Sequence, residues 1–419
     1  CGNDRARVCS GLSSCFVLID LIGSPAACTQ PPSTEPIVTD DPTLVDADRR
    51  RGRGARSNRV GRYETEQREA VDDGWDSLAG LEVFKTDVRE EVAKSIIARN
   101  DSPDISFDQS INPYRGCEHG CIYCYARPTH EYLGFSAGLD FESRILAKED
   151  APDLLRKTLS SPRWQPQTLA MSGVTDPYQP VERKLEITRR CLGVMAELRQ
   201  PVAVITKNAL VTRDLDHLGQ LAAVNAAVVF LSITTLDGEL ARKMEPRASH
   251  PRERLQAIER LAAAGIPVGV MVAPVIPGLT DSEMPRILEA AAAAGAQSAG
   301  YVVVRLPGAV AGLFEAWLAT HFPERKEKIL NRLRDLRGGR LNDPRFGHRM
   351  RGEGPFAEQM RTSVLSAMAT PPSVISFRLI VSPAFGCPFN SDTSTKGPPT
   401  FSSTDPYAGI VMLLVALPA

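Results

Sequence analysis

Six short apolar runs recur along the central part of the chain, and polar or amphipathic sequence separates each run from the next. The runs are residues 111–114, 169–174, 202–206, 227–234, 267–275 and 299–306. Each run is rich in Val and Ile or almost continuously apolar, as expected of a strand that is buried on both faces of a sheet. The pattern therefore predicts six buried strands.

Helical patterns lie between these runs. Apolar residues recur at i, i+3 and i+7 within residues 182–199, which predicts a stripe that faces the core. Residues 251–264 repeat the pattern and end at Gly265, a residue suited to the position after a helix. Asp281 is predicted to cap a further helix that closes at Gly295. Strand–helix alternation predicts a parallel sheet, as either an open doubly wound sheet or an incomplete barrel.

Composition divides the 419 residues into four zones. Residues 1–47 mix Ser, Pro, Thr and Asp without a period, and we expect a disordered or mis-assigned head. Residues 48–104 form an Arg-rich polar extension, and residues 105–360 hold the strand–helix repeat that forms the core barrel. Residues 361–419 lose almost all charge, and the helix that starts near Gly354 is not expected to continue into them. Either a linker or a reading-frame error in the deduced sequence would produce so abrupt a change.

The net charge of −1 gives no global field for a polyanion, so such a partner would need a local basic patch. The stretch from Arg49 to Arg62, which contains glycines, is a candidate for binding a nucleic-acid backbone, and a solvated arm is the alternative. No apolar segment reaches the roughly 20 residues of a membrane helix. The head matches a secretory signal poorly, so we expect no membrane partner and a cytoplasmic location.

Three closely spaced cysteines carry the strongest chemical signal. They are Cys117, Cys121 and Cys124, separated by three and two residues. This spacing is too tight for a disulfide framework and indicates a metal centre in a reducing compartment. A zinc site would need a fourth ligand, which His119 or His130 could supply. An electron-transfer cluster would want a fourth cysteine, and the nearest downstream is Cys191. A cluster with one open iron needs no fourth ligand.

This motif, with Tyr123 just before the last cysteine and a predicted strand before the first, resembles the radical S-adenosylmethionine (SAM) superfamily. The resemblance implies an α/β fold, a partial (βα)6 TIM-like barrel, with irregular extensions at both ends. It also implies a 4Fe–4S cluster on the three cysteines, with SAM on the open iron. A reducing partner of the flavodoxin or ferredoxin type would then trigger cleavage of SAM to a 5′-deoxyadenosyl radical that abstracts a hydrogen atom.

Other stretches resemble spore photoproduct lyase and its uncharacterised bacterial relatives. These stretches are residues 112–117, 124–128, 175–182, 206–207, 244–247 and 252–255. The resemblance covers about residues 48–360 and is closest to the uncharacterised relatives. It suggests a nucleic acid or nucleotide as the hydrogen donor, with a peptide or small metabolite as the alternative. A non-catalytic zinc or electron-transfer protein is the alternative of another class.

Polar residues at the ends of predicted strands are the candidates for SAM contacts, since strand ends in such barrels face the active site. By resemblance, they are Tyr123 near the adenine, Ser172, Thr175 and Asp176 near the methionine amino group, Lys207 at the carboxylate, and Ser232 at the amino acid or ribose. The alternative for Asp176 is a turn cap, and the alternative for Ser232 is a satisfied strand hydroxyl.

Spore photoproduct lyases use a cysteine near the active site to return a hydrogen atom to the product. Here Cys191 is the only other cysteine of the predicted core, and its helical stripe predicts a packed thiol. The same repair chemistry is therefore doubtful, and Tyr114, Tyr125 or Tyr178 is the alternative hydrogen relay. The glycine- and arginine-rich residues 338–352 are predicted to be a binding loop for an anionic substrate or a surface connection.

Overall fold

The apolar runs of the central chain form the strands of one large sheet. The structure is a computed structural model that describes residues 44–64, 83–105, 107–369, 379–381 and 411–413, the last two ranges and residues 365–369 by their backbone alone. Most of the predicted head and tail therefore lies outside the described residues. The strands, in chain order, are β1 (Asp87–Glu90), β2 (Ile97–Arg99), β3 (Gln109–Ile111), β4 (Tyr114–Arg115), β5 (Arg144–Ala147), β6 (Leu169–Met171), β7 (Val202–Thr206), β8 (Ala227–Ser232), β9 (Val268–Val275), β10 (Ser298–Val303), β11 (Leu379–Val381) and β12 (Val411–Leu413).

Helices cover the sheet and connect its strands. They are α1 (Leu139–Ser143), α2 (Ala151–Leu159), α3 (Glu182–Leu185), α4 (Ile187–Leu198), α5 (Leu215–Ala222), α6 (Gly238–Met244), α7 (Pro251–Ala263), α8 (Met284–Ala293), α9 (Val310–His321), α10 (Lys326–Leu336) and α11 (Pro355–Ala369). Short 3-10 turns lie at Arg127–Thr129, Glu131–Leu133, Ala209–Asp214 and Asp281–Glu283. Within the described residues, no helix combines the length and apolar character needed to cross a bilayer.

The main sheet has seven strands in the order β10-β9-β8-β7-β6-β3-β2. Six of them are parallel and follow chain order, so each crossover moves the chain to the neighbouring position. Strand β2 adds an antiparallel edge beside β3. This is the predicted partial (βα)6 barrel, with β2 and β10 at its two edges. Its strands are buried and its core is dominated by Val, Ile, Leu and Ala, each large side chain contributing roughly 1.5–3 kcal/mol through burial.

Three predicted elements differ from the structure for local reasons. The first apolar run breaks into β3 and β4, because Pro113 between them has no amide hydrogen for a strand ladder. The predicted helix 182–199 is two helices, since Glu186 adopts a left-handed conformation with φ 51°. The Asp281 carboxylate accepts from the Gly278 amide at 2.8 Å, and Asp281 begins a 3-10 turn, so that Glu283 takes the N-cap position of α8.

The predicted zone boundaries also need correction where the structure describes them. Helix α11 continues past residue 360 to Ala369, and Met360 and Val364 are buried in the main core. The chain from 361 to 369 is therefore helical rather than irregular. At the other end, the polar extension supplies β1, which pairs with β5, and β2, which joins the main sheet.

The arginine-rich segment is packed structure over much of its length. The carboxylate of Glu142, which is fully buried, accepts hydrogen bonds from the amides of Gly54 and Ala55 at 2.8 Å. Arg53 is 7% exposed and donates to the carbonyls of Glu142 and Phe84. A Cβ added at Gly54 would lie 1.9 Å from the Gly120 carbonyl oxygen, so only glycine fits there. The segment therefore packs around the cysteine loop, and of its arginines Arg51, Arg59 and Arg62 are exposed.

Removal of the Glu142 charge should destabilise the packing of the arginine-rich segment around the cysteine loop. Glu142 pairs with Arg127, and both side chains are fully buried, so Glu142→Gln leaves a buried guanidinium without its counter-charge. We expect the free energy of unfolding to fall by about 3 kcal/mol, measured by urea denaturation of the anaerobic protein. Glu239→Gln is the matched control, because Glu239 and Arg242 are 71% and 72% exposed. Similar losses in the two variants would contradict this account.

A buried histidine gives the fold a dependence on pH. His130 is 1% exposed and lies against the rings of Phe135 and Phe141, with centroid distances of 5.3 and 5.6 Å. Burial lowers the pKa of His130 to about 4, and the nearby Asp140 carboxylate only partly offsets this effect. The folded protein therefore keeps His130 neutral at a pH where the unfolded chain, with an ordinary pKa of about 6.5, takes up a proton.

His130→Phe should remove that dependence. Because the pKa is lower in the folded state, stability falls as pH drops below about 6.5, by about 2 kcal/mol between pH 7 and pH 5. The variant keeps the ring volume and cannot bind the proton. Urea titrations at pH 7 and pH 5 give the free energy of unfolding of both proteins. We expect the value for the variant, relative to the wild type, to rise by about 2 kcal/mol between pH 7 and pH 5. A difference between the two proteins that stays constant with pH would refute the assignment.

Candidate active site

The three cysteines of the motif lie in one loop that follows β4 at the carboxyl end of β3. Cys117 and Cys121 are each 7% exposed, Cys124 is half-buried, and all three are free thiols. The Cys117 amide donates to the Phe141 carbonyl at 2.9 Å, and the Ile122 amide donates to Met244 at 3.0 Å. The loop is thus fixed from two sides.

A buried glutamine fixes the same loop from a third side. Gln179 is fully buried, and its side-chain amide donates to the Gly116 carbonyl at 3.2 Å and accepts from the Glu118 amide at 2.9 Å. Gly116 has φ 77°, and a Cβ there would lie 2.9 Å from the Arg144 carbonyl oxygen. Gln179 belongs to the stretch 175–182, which the sequence marked as a motif without giving this residue a role.

The thiols suit a metal cluster in their chemistry. Burial raises the pKa of Cys117, Cys121 and Cys124, so without a metal each would be neutral at pH 7. Charge on Cys121 or Cys124 also raises the pKa of Cys117. Iron at this position would supply the positive charge that holds them as thiolates.

The candidate fourth ligands for zinc do not form an ion site with the three cysteines. His119 has Nδ1 at 3.4 Å from the Asp176 carboxylate and Nε2 at 3.1 Å from the Asn208 amide. His130 lies between phenylalanine rings, and Cys191 is fully buried in the main core, as a packed thiol should be. Among the described residues, no three His, Cys, Asp or Glu side chains converge as ligands of one ion. The thiolates of a 4Fe–4S cluster instead bind separate irons.

A buried carboxylate that sequence reasoning missed organises the polar side chains beside this loop. Glu245 is fully buried and accepts hydrogen bonds from the Tyr123 hydroxyl, the Arg254 guanidinium and, at 2.6 Å, the Thr234 hydroxyl. Its oxygen also lies 3.2 Å from Nζ of Lys207. Burial would raise the pKa of Glu245, but Arg254 and Lys207 hold it well below its usual value. We call these five residues the Glu245 cluster.

The sequence marked residues 244–247 as a motif, but it did not show that a glutamate within them was buried. Lys207 lies inside the Glu245 cluster rather than free at the rim. Its Nζ is 2.8 Å from the Ala273 carbonyl and 3.2 Å from the Thr234 hydroxyl, and its side chain is 15% exposed. With Glu245, these acceptors occupy all three hydrogens of the ammonium group. The same Nζ lies 5.7 Å from the centre of the Tyr123 ring. Tyr123 and Lys207 are thus brought together next to the cysteines, and a carboxylate ligand would have to displace one present acceptor of Lys207.

The polar side-chain atoms of two other candidates, Asp176 and Thr175, form hydrogen bonds within the protein. The Asp176 carboxylate accepts from the Thr206 hydroxyl and the Lys207 amide, both at 2.7 Å, and from the Tyr178 amide at 2.9 Å. Burial would raise the pKa of Asp176, but His119 and these hydrogen bonds lower it. The Thr175 hydroxyl donates to the Tyr114 carbonyl at 2.8 Å. Asp176 therefore caps its turn and also joins the ends of β6 and β7.

Ser172 and Ser232 lie at the same edge of the sheet. Ser172 follows β6 with φ 95°, a conformation that non-glycine residues seldom adopt. Ser232 ends β8, and its carbonyl accepts from the Arg254 guanidinium at 2.8 Å. The structure thus places both beside the loop, while their roles toward SAM stay predictions.

The candidate hydrogen relays separate clearly by exposure. Tyr114 and Tyr178 are fully buried, and their hydroxyls donate to Glu182 and Asp214. Tyr125, which follows Cys124, is 49% exposed. Of the three, only Tyr125 can meet a substrate without a change in the core.

The glycine- and arginine-rich loop is held by ion pairs. Arg349 pairs with Asp104, and Arg345 pairs with Asp343 and Glu353. Arg305, just after β10, was not among the predicted site residues, although its position past a strand end could have suggested it. It lies over Tyr125, with 5.7 Å between the guanidinium carbon and the ring centre.

Comparison with known proteins agrees with this geometry. Residues 111–291 match the radical SAM superfamily. Uncharacterised proteins of Mycobacterium tuberculosis and Mycobacterium bovis are 38% identical over 234 residues, covering 55% of this chain and 68% of each relative. A Pseudomonas phage M6 protein named radical SAM Nalpha-GlyT isomerase is 26% identical over 193 residues, covering 45% of this chain and 38% of that protein.

A solved structure of a spore photoproduct lyase mutant shares the fold. Its TM-score is 0.50 at 15% identity, and the match covers 67% of this chain and 78% of that one. Radical SAM enzymes use a 4Fe–4S cluster together with SAM, and they need a reductant. The cysteine loop, the six parallel strands and the extent of these matches lead to one conclusion: the chain belongs to the radical SAM superfamily.

Proposed function

We propose that Cys117, Cys121 and Cys124 bind the 4Fe–4S cluster of this enzyme and leave one iron open for SAM. The observation that carries the proposal is the grouping of three free thiols, two buried and one half-buried, in one loop at the carboxyl end of the parallel strands. When bound, the cluster and SAM together supply a 5′-deoxyadenosyl radical for hydrogen abstraction. The alternative of a zinc protein is weakened because both ring nitrogens of His119 contact Asp176 and Asn208, and because His130 packs against two phenylalanine rings.

The residues around the loop have distinct proposed tasks. Tyr123, Ser172, Lys207 and Ser232 remain our proposed SAM contacts. Thr175 and Asp176, whose polar side-chain atoms are bonded within the protein, are proposed instead to position the strand ends. The Glu245 cluster holds Tyr123 and Lys207 in place, and the packed loop excludes water from the thiols.

We propose a nucleic acid or nucleotide as the hydrogen donor, and a peptide or small metabolite is the alternative. Support comes from Arg305, which follows the last strand of the barrel and forms no ion pair with the described residues. An unpaired guanidinium there favours a substrate with an anionic group. The proposed reductant is a flavodoxin or ferredoxin, and the proposed location is the cytoplasm, where clustered thiols stay reduced.

Removal of any cluster cysteine should abolish iron binding. Cys117→Ala, Cys121→Ala and Cys124→Ala each remove one of three ligands, so we expect loss of iron and of SAM cleavage after reduction. Iron content and the release of 5′-deoxyadenosine from the anaerobic, reconstituted protein are the measurements. Cys191→Ala is the control and should retain both, because Cys191 lies in the core away from the loop. Equal iron loss in the control would refute the three-cysteine site.

Loss of the Lys207 charge should weaken SAM binding without loss of iron. Lys207→Met keeps the apolar stem, and Glu245 retains Arg254 as a partner. We expect SAM affinity to fall by about 1–3 kcal/mol, the scale of a hydrogen bond to a charged group. Lys184→Met, on the exposed side of α3, is the matched control and should bind like the wild type. Unchanged affinity in Lys207→Met would remove Lys207 from the SAM contacts.

A further inference from the structure

The exposed tyrosine and phenylalanine rings form an unusual set. Within the described residues they are Tyr63, Tyr125, Tyr132 and Phe346, with exposures of 54, 49, 68 and 56%. Tyr63 and Tyr132 stack with centroids 5.2 Å apart, and Arg62 lies 5.5 Å from the Tyr63 ring. Tyr63 therefore contacts both a second exposed ring and an arginine.

The other two rings each have their own arginine. Arg305 lies over Tyr125 at 5.7 Å, and Arg349 lies over Phe346 at 4.5 Å. Such contacts hold an exposed ring in a fixed orientation. A fixed ring loses little entropy when a flat ligand stacks on it, so these rings are prepared for stacking.

Two contacts link the Arg305–Tyr125 pair to the segments that carry the other rings. Pro128 lies between Tyr125 and Tyr132 in the chain, and its ring comes within 3.8 Å of a Cβ placed at Gly308, three residues after Arg305. On the other side, Nη1 of Arg305 is 3.7 Å from the sulfur of Met350, which adjoins Arg349. We call this series of rings, Tyr63, Tyr132, Tyr125 and Phe346, with Arg62, Arg305 and Arg349, the aromatic track.

Arg305 is the one guanidinium of the track without an acidic partner among the described residues. Arg62 pairs with Glu131 at 2.8 Å, and Arg349 pairs with Asp104 at 2.5 Å. The Nε of Arg305 is buried and forms no hydrogen bond with the described chain. The charge of this half-buried guanidinium has no acidic partner within the described residues, so an anionic ligand at this point would be favourable.

We propose that the aromatic track binds a single-stranded segment of nucleic acid, with bases stacked on its rings and a phosphate on Arg305. The proposal rests on the proposed function, since Tyr125 follows Cys124 and the track would bring an unpaired nucleotide to the cluster. Stacked rings recognise the faces of bases, which are covered in a duplex, whereas alternating arginines follow the backbone. An acidic peptide would use the arginine but leave most of the rings without partners.

Binding of labelled oligonucleotides to the anaerobic, cluster-loaded protein tests this. The probe is a fluorescein-labelled oligothymidylate of about ten nucleotides, a length typical of single-strand sites. Its duplex with oligoadenylate and a labelled peptide of glutamate and tyrosine are the comparison ligands. Fluorescence anisotropy over a range of salt concentrations gives affinity and its salt dependence. We expect the single strand to bind more tightly than either comparison ligand.

The variants separate stacking from charge. Tyr132→Ala should weaken binding by about tenfold, the scale of one lost stacked base, while Tyr132→Phe should restore it. Arg305→Met should lower the slope of log affinity against log salt by about 0.7, the value for one lost phosphate contact on a single strand. Arg163→Met is the control, because Arg163 is exposed and precedes β6 at the opposite end of the sheet.

Several results would overturn the proposal. Duplex binding as tight as single-strand binding would do so, as would equal effects of Tyr132→Ala and Arg163→Met. Peptide binding with the same sensitivity to both track variants would assign the track to a peptide instead. SAM cleavage by the reduced wild type, measured without oligonucleotide, reports on the proposed function separately. If SAM is cleaved but the oligonucleotide does not bind, the proposal for the aromatic track alone is refuted. If the oligonucleotide binds but SAM is not cleaved, the proposed function is refuted.

Discussion

The buried ion pair between Arg127 and Glu142 determines the shape of the cysteine loop. Arg127 donates to the carbonyls of Cys121, Gly120, Ala137 and Gly138, while Glu142 accepts from the amides of the N-terminal segment. Moving such a pair out of water costs several kcal/mol per ion, so it is tolerated only where the remaining polar atoms find partners. Here the partners are the backbone of the loop and of the segment that covers it. The pair therefore fixes where the thiols lie.

The Glu245 cluster does the same on the other side of the loop. Arg254 comes from α7, Thr234 follows β8 and Lys207 follows β7, so two successive strand–helix units meet at one carboxylate. Tyr123 joins this cluster to the cysteine loop through its hydroxyl. The proposed SAM contacts are thus held by the barrel itself rather than by a mobile surface loop, which favours a precise geometry for a reactive intermediate.

Short-range patterns predicted the barrel well, because buried parallel strands are continuous apolar runs and their order followed the chain. Residues 202–206 match β7 at both ends. Long-range partners were not predictable in this way. Nothing near Glu142 or Glu245 in sequence indicates burial, and the arginines of residues 49–62 gave no sign that Arg53 would pack against Glu142. Lys207 was expected at the rim because the sequence does not show its acceptors, which come from the residue Thr234 after β8, from β9 and from the residues after α6. A single sequence shows spacing along the chain but not the pairs that folding brings together.

The sheet order has a consequence for how the holoenzyme is made. Within the main sheet, each strand from β3 to β10 lies beside the sheet strand that was synthesised before it, so the sheet can grow in step with translation. The cysteines are complete early, at residue 124, but Arg254 and Thr234 are made much later. Until then the cysteine loop lacks the side chains that join it to the Glu245 cluster. If the three cysteines bind the cluster as proposed, their surroundings are complete only once α7 has been made, so we expect stable cluster loading to follow synthesis of that helix.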